Sequence, residues 1–394
     1  MTSRISLLLL LLLSFAACKK QDIEPEPVGE AIPYKPGPDK TWQQQLAASP
    51  YTRFREAWQR AGMDETVKKG GAGFYTLLVP DDKAFDEAGW TSDKIKNTDA
   101  ATLTSLLTYY VMPARLVPES IASVNGSTPT ATLSSRELTG RDEWYGTKYT
   151  DFLFPAKSGD SLIINGNALA KWGQYLEGSN GIIYPIEHLI AQPQQTMWEY
   201  LQSQPQFSLY VDAIRISDSL YASVWMNEKS AFLKSSPTFA QFTLFAPTNE
   251  AFIKNGFHNA DDILQFNLRS WPLPDPGYDD NMFWQTPSTA MDSILNACGP
   301  EVATASQLDL NYRVGPVYFS NDLVNNASGL SGIVLRAGQR YNEGPVIIRL
   351  SFINNNGQPG IRRINTNYPY IPLKQKNTRV INGVVHEVDD LFKR

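Results

Sequence analysis

The sequence predicts two tandem copies of one mixed domain that contains both strands and helices. The stretch Thr76-Leu77-Leu78-Val79-Pro80-Asp81-Asp82-Lys83-Ala84-Phe85 returns as Thr243-Leu244-Phe245-Ala246-Pro247-Thr248-Asn249-Glu250-Ala251-Phe252, with Thr, Leu, Pro, Ala and Phe in register. A second stretch, Asn180-Gly181-Ile182-Ile183-Tyr184-Pro185-Ile186-Glu187-His188-Leu189-Ile190, returns as Asn382-Gly383-Val384-Val385-His386-Glu387-Val388-Asp389-Asp390-Leu391-Phe392. Both pairs come in the same order. With roughly 355 residues after a polar N-terminal segment, each copy is long enough to bury its own core.

Residues 1–17 have the form of an export signal: Arg4, an unbroken apolar run from Leu7 to Leu13, then Ser14, Ala16 and Ala17. The run is shorter than the about 20 apolar residues that a spanning helix needs. Phe15-Ala16-Ala17-Cys18 resembles the bacterial lipobox, which implies cleavage before Cys18 and acylation of that cysteine. Several buried acyl chains, at about 0.8 kcal/mol per methylene, would make such an anchor effectively permanent. Residues 18–40 are polar and carry Pro25, Pro27, Pro33, Pro36 and Pro38, the composition of a tether. The expected location is the cell envelope, on the outer membrane and exposed at the surface, where Asp22, Glu24 and Glu26 would suit an acidic export tether.

The first copy is expected over 41–191 and the second over 193–392. Trp42-Gln43-Gln44-Gln45-Leu46 and Met197-Trp198-Glu199-Tyr200-Leu201 read as matching opening helices. The first repeated stretch is a strand-to-helix corner: an apolar strand meets a proline, and Asp81 or Thr248 is placed to cap the helix carrying Phe85 or Phe252. Ala101-Thr102-Leu103-Thr104-Ser105-Leu106-Leu107 has helical spacing, and Asp160 to Asn167 reads as a strand followed by a turn. In the second repeated stretch, Asn-Gly predicts a tight turn with positive φ, and the branched residues after it predict a last buried strand. Only Ala191-Gln192-Pro193 separates the copies, which predicts limited motion between them.

The two repeated stretches resemble the conserved segments of the fasciclin-like domain, and the resemblance covers both copies. It implies an α+β fold, in each copy a bent β-sandwich with helices packed over one side. A third landmark of that family, a Tyr-His pair before Val-x-Pro, is matched by Tyr109-Tyr110-Val111-Met112-Pro113 and by Tyr312-Arg313-Val314-Gly315-Pro316; neither copy carries its histidine. The distance from Phe85 to Tyr109 is 24 positions and from Phe252 to Tyr312 is 60, whereas Tyr109 to Asn180 and Tyr312 to Asn382 are 71 and 70. The second copy therefore carries an insertion at about 265–303, rich in aromatic residues and proline.

Function is expected to be binding and not catalysis. The formal charge of −5, about −6 without residues 1–17 and their Arg4, and the lack of any basic run exclude nucleic acid as a natural partner. The chain has no nucleophile elbow, no H-E-x-x-H, no phosphate loop and no C-x-x-C. Of the three histidines, His188, His258 and His386, the last stands beside Glu387, Asp389 and Asp390 and is the one to test as a ligand or acid–base group; a hydrogen-bonded structural role is the competing assignment. Asp279-Asp280 and Asp389-Asp390 lack calcium-loop spacing and read as solvated ends, so neither metal nor cofactor is expected. Cys298 is the only cysteine after Cys18 and reads as a buried filler, leaving the mature protein no internal disulfide. The candidate ligand-binding residues are Trp271, Tyr278, Phe283 and Trp284 of the insertion, flat rings among acidic and amide groups suited to a sugar or a protein, with folding inward as the alternative. Trp144-Tyr145 and Tyr149 form a second aromatic stretch, either a surface or sheet packing. The resemblance implies adhesion or ligand capture, with an extracellular glycan or surface protein as partner. An accessory glycan-capture lipoprotein of an outer-membrane uptake system is the alternative, and a carboxylate-pair hydrolase the third reading.

Overall fold

In both copies, the two repeated stretches lie side by side as parallel strands. The computed structural model describes residues 37–137, 148–220, 229–234, 241–270, 290–295, 298, 317–325, 334–340, 344–356, 358–364 and 366–392. Within Pro38–Arg394, one compact unit, the first copy contributes β1 (Tyr75–Pro80), β2 (Val111–Met112), β3 (Thr130–Glu137), β4 (Lys148–Leu153), β5 (Pro155–Ser158), β6 (Ser161–Ile164), β7 (Asn167–Lys171), β8 (Leu176–Gly178) and β9 (Gly181–Ile186). The second contributes β10 (Phe242–Pro247), β11 (Val334–Arg340), β12 (Gly344–Asn355), β13 (Gln358–Arg363), β14 (Ile371–Pro372), β15 (Thr378–Val380) and β16 (Gly383–Val388). Strands and helices both build each copy, so the fold is α+β.

The internal duplication extends to register. Tyr75 pairs with Gly181 and Thr76 with Ile182; Phe242 pairs with Gly383 and Thr243 with Val384. The sheets run β2-β1-β9-β8 and β10-β16-β15, and all six residues of β1, β10 and β16 are buried, which is why these strands read as continuous apolar runs. Further sheets, β3-β4, β5-β6-β7 and β11-β12-β13-β14, complete the two copies.

Each corner is closed by the same backbone bond, Asp81 N–H to Ile186 O and Thr248 N–H to Val388 O, both at 3.0 Å. The caps differ. Asp81 accepts from Ala84 N at 2.7 Å and caps its helix as expected from sequence. Thr248 makes no side-chain cap; its hydroxyl donates at 3.1 Å to Asp389 Oδ1, an acceptor brought there by the end of β16.

The Asn-Gly pairs also differ from expectation. Gly178 pairs with Gly181 and Val380 with Gly383, so the two-residue turns are Ser179-Asn180 and Ile381-Asn382, and each glycine is the first residue of a strand. Neither asparagine has positive φ. Their side chains instead hold the opening helices: Asn180 Oδ1 accepts from Trp42 N at 3.0 Å, and Asn382 Oδ1 accepts from Met197 N at 2.8 Å. Both helices, Trp42–Ala48 and Met197–Ser203, also begin with a capping box, Thr41 with Gln44 and Thr196 with Glu199. The glycines leave room for the residue so placed. A Cβ on Gly181 would lie 2.5 Å from Trp42 Cδ1, and one on Gly383 would lie 2.5 Å from Met197 Cε. The left-handed Asn-Gly turn does occur, at Asn165 (φ 52) and Gly166 (φ 78), between β6 and β7.

The second asparagine holds more than the first, because its Nδ2 also donates to Leu233 O at 3.0 Å within the core. Asn382→Ala is therefore expected to cost about 2 kcal/mol, and Asn180→Ala, whose Nδ2 meets the exposed Gln43, about 1 kcal/mol. Urea unfolding of both variants tests the order; equal losses would contradict it.

Two cores follow. In the first, Trp42 meets Trp58 edge-on at 5.5 Å, and Phe54 stacks on Trp58 at 5.5 Å and meets Phe85 at 6.2 Å. In the second, Phe252 lies between Tyr210 at 6.4 Å and Phe257 at 6.2 Å. Part of the insertion belongs to that core: Met291 and Cys298 are fully buried, Met291 N donates to Asn267 Oδ1 at 2.9 Å, and Phe245 N donates to Cys298 O at 2.6 Å.

Candidate functional site

Two regions of the described residues concentrate polar chemistry, the seam between the copies and the outer face of the β11-β12-β13-β14 sheet. The seam begins at the junction. Asp151, on β4 and 0% exposed, accepts from Arg136 Nη2 at 2.9 Å, Ser134 Oγ at 2.8 Å and Gln192 Nε2 at 2.6 Å. Arg136 also donates to Pro193 O at 2.5 Å and Gln194 Oε1 at 3.1 Å, so the short junction is fastened to β3 and β4 by one ion pair. Tyr149 is buried sheet packing and not a loop surface; its hydroxyl donates to Ile381 O of the second copy at 3.3 Å. Arg379 lies 5.0 Å over the Phe154 ring, which itself meets Phe319 at 5.2 Å. Ser127 N and Oγ donate to Asp322 Oδ1 at 2.7 and 2.9 Å, and Asn377 Nδ2 donates to Gly166 O at 2.9 Å. These contacts tie the two copies together along apolar and polar groups alike.

The outer face of the β11-β12-β13-β14 sheet is amphipathic. On β12, Phe352 turns inward and is buried, while Ile353 is 41% exposed. Gly360, its partner on β13, has no side chain to cover the floor between Ile353 and Tyr370; a Cβ there would lie 3.0 Å from Ile353 Cγ2 and 3.1 Å from Tyr370 Cβ. Arg362 stacks over the Tyr370 ring at 4.4 Å, and Ser351 Oγ donates to the Tyr370 hydroxyl at 3.4 Å. Tyr368 stands nearby in sequence, 45% exposed. An apolar floor beside a guanidinium and hydroxyls can hold a ligand that is itself half apolar and half hydroxylated. Nothing in the local sequence marks this face except the alternation along β12.

The residues singled out from sequence fall into three groups. Cys18, Trp144, Tyr145, Trp271, Tyr278, Asp279, Asp280, Phe283, Trp284 and the Tyr312 to Pro316 landmark lie outside the described residues, as does the export signal. His386 is fully buried with both ring nitrogens hydrogen-bonded, and burial pushes its pKa down to about 4. His188 and His258 are exposed. Asp389 and Asp390 are not merely solvated ends: Asp389 accepts from Thr248 and pairs with Lys374 at 3.2 Å, and Asp390 accepts from Lys254 at 2.6 Å and Asn255 at 2.8 Å. They pin the end of the chain to the helix Asn249–Lys254. The Cys298 thiol donates to Ile294 O at 3.3 Å. Tyr110, at the place of the missing histidine, donates to Ile190 O at 3.0 Å and accepts from Ile190 N at 2.8 Å, fastening the end of the first copy. Among the described residues, no group of three or more His, Cys, Asp or Glu side chains could hold a metal ion, and no helix is long and apolar enough to cross a membrane.

Residues 49–192 match the Fasciclin domain family. The structure is also similar to a solved FAS1 domain pair from the insect cell adhesion molecule fasciclin I, with 16% sequence identity over 88% of this chain and 97% of that one and a TM-score of 0.34. No curated protein matches the sequence.

Proposed function

We propose that the chain is a lipid-anchored binding protein of the cell envelope, in which two fasciclin-like copies present surfaces for adhesion or ligand capture and do not catalyse. The match of residues 49–192 to the Fasciclin domain family carries the reading, and the second copy, paired in the same register, extends it. The anchor is Cys18, read from the tetrapeptide before the tether. Asp22, Glu24 and Glu26 of the tether support placement on the outer membrane, facing outward.

A second reading, capture of a glycan for an uptake system, is supported by the face formed by Ile353, Gly360, Tyr370 and Arg362, and by the aromatic composition around Trp271, Tyr278, Phe283 and Trp284. An array of polysaccharides and matrix proteins, probed with the full chain, separates the readings. Glycan capture predicts that Tyr370→Ala or the Trp271→Ala, Phe283→Ala, Trp284→Ala variant lowers glycan binding at least tenfold with the fold intact. Binding to proteins alone supports adhesion. Retention of full membrane association by Cys18→Ser would sink the lipid anchor.

A further inference from the structure

One side chain that joins the copies is itself held by a buried histidine. Asn377, in the second copy at φ 65, donates through Nδ2 to Gly166 O of the first copy at 2.9 Å and to Ser320 Oγ at 2.8 Å, and its Oδ1 accepts from Ser320 N at 2.8 Å. Its own N–H donates to His386 Nδ1 at 3.3 Å. The ring is therefore neutral, with its proton on Nε2, which donates to Tyr318 O at 2.9 Å. The contact with Gly166 is close: a Cβ there would fall 2.5 Å from Asn377 Cγ.

The groups around the ring leave it little help in holding a charge. β10 faces it with Phe245, stacked at 5.5 Å, and carries no titratable side chain. β15 brings Arg379, whose guanidinium is held by Gln241, Val380 O and Gly383 O. The turn before β15 brings Lys376, whose charge adds to burial in disfavouring the imidazolium. The segment 317–325 brings Tyr318 and Asp322, and Glu387 follows on the same strand.

We propose that His386 and Asn377 form an acid-sensitive latch between the two copies. A proton taken from solvent onto Nδ1 of His386 turns an acceptor into a donor that faces the Asn377 N–H, and the repulsion releases Asn377 from Gly166 and Ser320. The sign follows from linkage. The latched state keeps the ring neutral down to about 4, because burial lowers its pKa, whereas a released ring takes its proton near 6.5. The latch is at full strength above 6.5, and the ratio of latched to released chains falls about tenfold per pH unit from there to about 4. Asp322 acts the other way: burial raises its carboxyl, so acid favours the joined form at that contact.

Hydrogen exchange of the full chain at pH 7 and pH 5, with labelling times scaled to the intrinsic rate, tests the latch. The segments around Gly166 and around Ser320 and Asn377 should lose protection together at pH 5, while β1 and β10 keep theirs. His386→Gln should abolish the loss of protection at pH 5, leaving only the opposite trend of Asp322. Asn377→Gly, which suits the left-handed backbone and deletes only the side chain, should show the released pattern already at pH 7. Equal protection at both pH values in the native chain, an acid response unchanged in His386→Gln, or full protection at pH 7 in Asn377→Gly would each overturn the proposal. Should the glutamine variant fail to fold, a ¹⁵N titration of the native histidine rings decides. Protonation of His386 Nδ1 must coincide with a shift of the Gly166 and Asn377 amides, and protonation without that shift also overturns it.

Discussion

Gly383→Ala is expected to unfold the second copy under conditions in which the native chain is fully folded. A Cβ at Gly383 would sit 1.9 Å from Phe242 O and 2.5 Å from Met197 Cε, and the residue has φ 147. The first obstacle is the backbone of the parallel neighbour and cannot rotate away; the second is the helix residue held by Asn382. Overpacking in a close-packed core costs about 1–3 kcal/mol even where side chains can yield, and a backbone collision combined with an unfavourable φ exceeds that range. Gly181→Ala is the control. It meets Tyr75 O at 2.7 Å and Trp42 Cδ1 at 2.5 Å but has no positive φ, so its loss should be the smaller of the two. Circular dichroism with urea unfolding reads both. A Gly383→Ala chain within 1 kcal/mol of the native one would refute the assigned packing.

Asp151→Ala should destabilise the chain by about 3–5 kcal/mol, because it strands Arg136, Ser134 and Gln192 around a site that water reaches poorly. The arginine keeps Pro193 O and Gln194, so part of its charge remains solvated by the junction. Asp151→Asn retains the shape and some acceptance and should cost about half as much. In thermal unfolding both copies should shift, since the carboxylate joins β3 and β4 to the segment leading into the second copy. A shift confined to the first copy would show that the junction bond is a bystander.

Where the chain announces its own structure, it does so through local signals. The proline that ends β1 and β10, the Asp81 cap and the unbroken apolar runs make the corners readable one residue at a time, and the duplication doubles the signal. The Asn-Gly pair marks a tight turn at both places, one residue earlier than expected: at Gly181 and Gly383 the glycine opens the strand and serves close approach of a helix, and the asparagine reaches a backbone N–H far away in sequence. Asn165-Gly166 is the same dipeptide used in the usual way. The seam left no periodic trace, since Asp151, Arg136 and Asn377 acquire meaning only when the copies meet. The burial of His386 follows from β16 being covered on both faces, which an isolated strand of mixed polarity does not reveal. Tyr149 shows the same limit, a tyrosine in a polar stretch whose hydroxyl is spent on the other copy.

The pairing of β10 with β16 places the strand that completes the second copy almost at the end of its sequence. Until Gly383–Val388 arrives, the buried run Phe242–Pro247 has an open edge and an apolar face awaiting cover, the kind of surface that recruits other chains. During synthesis the second copy thus has a dwell time set by how soon its last strand is delivered, while the first copy has its central strand pair complete at Ile186. Mistakes in biogenesis should accordingly accumulate in the later copy, as intermolecular sheet formation and not as misplaced helices, and a chaperone that shields extended apolar strands would shorten the list of casualties.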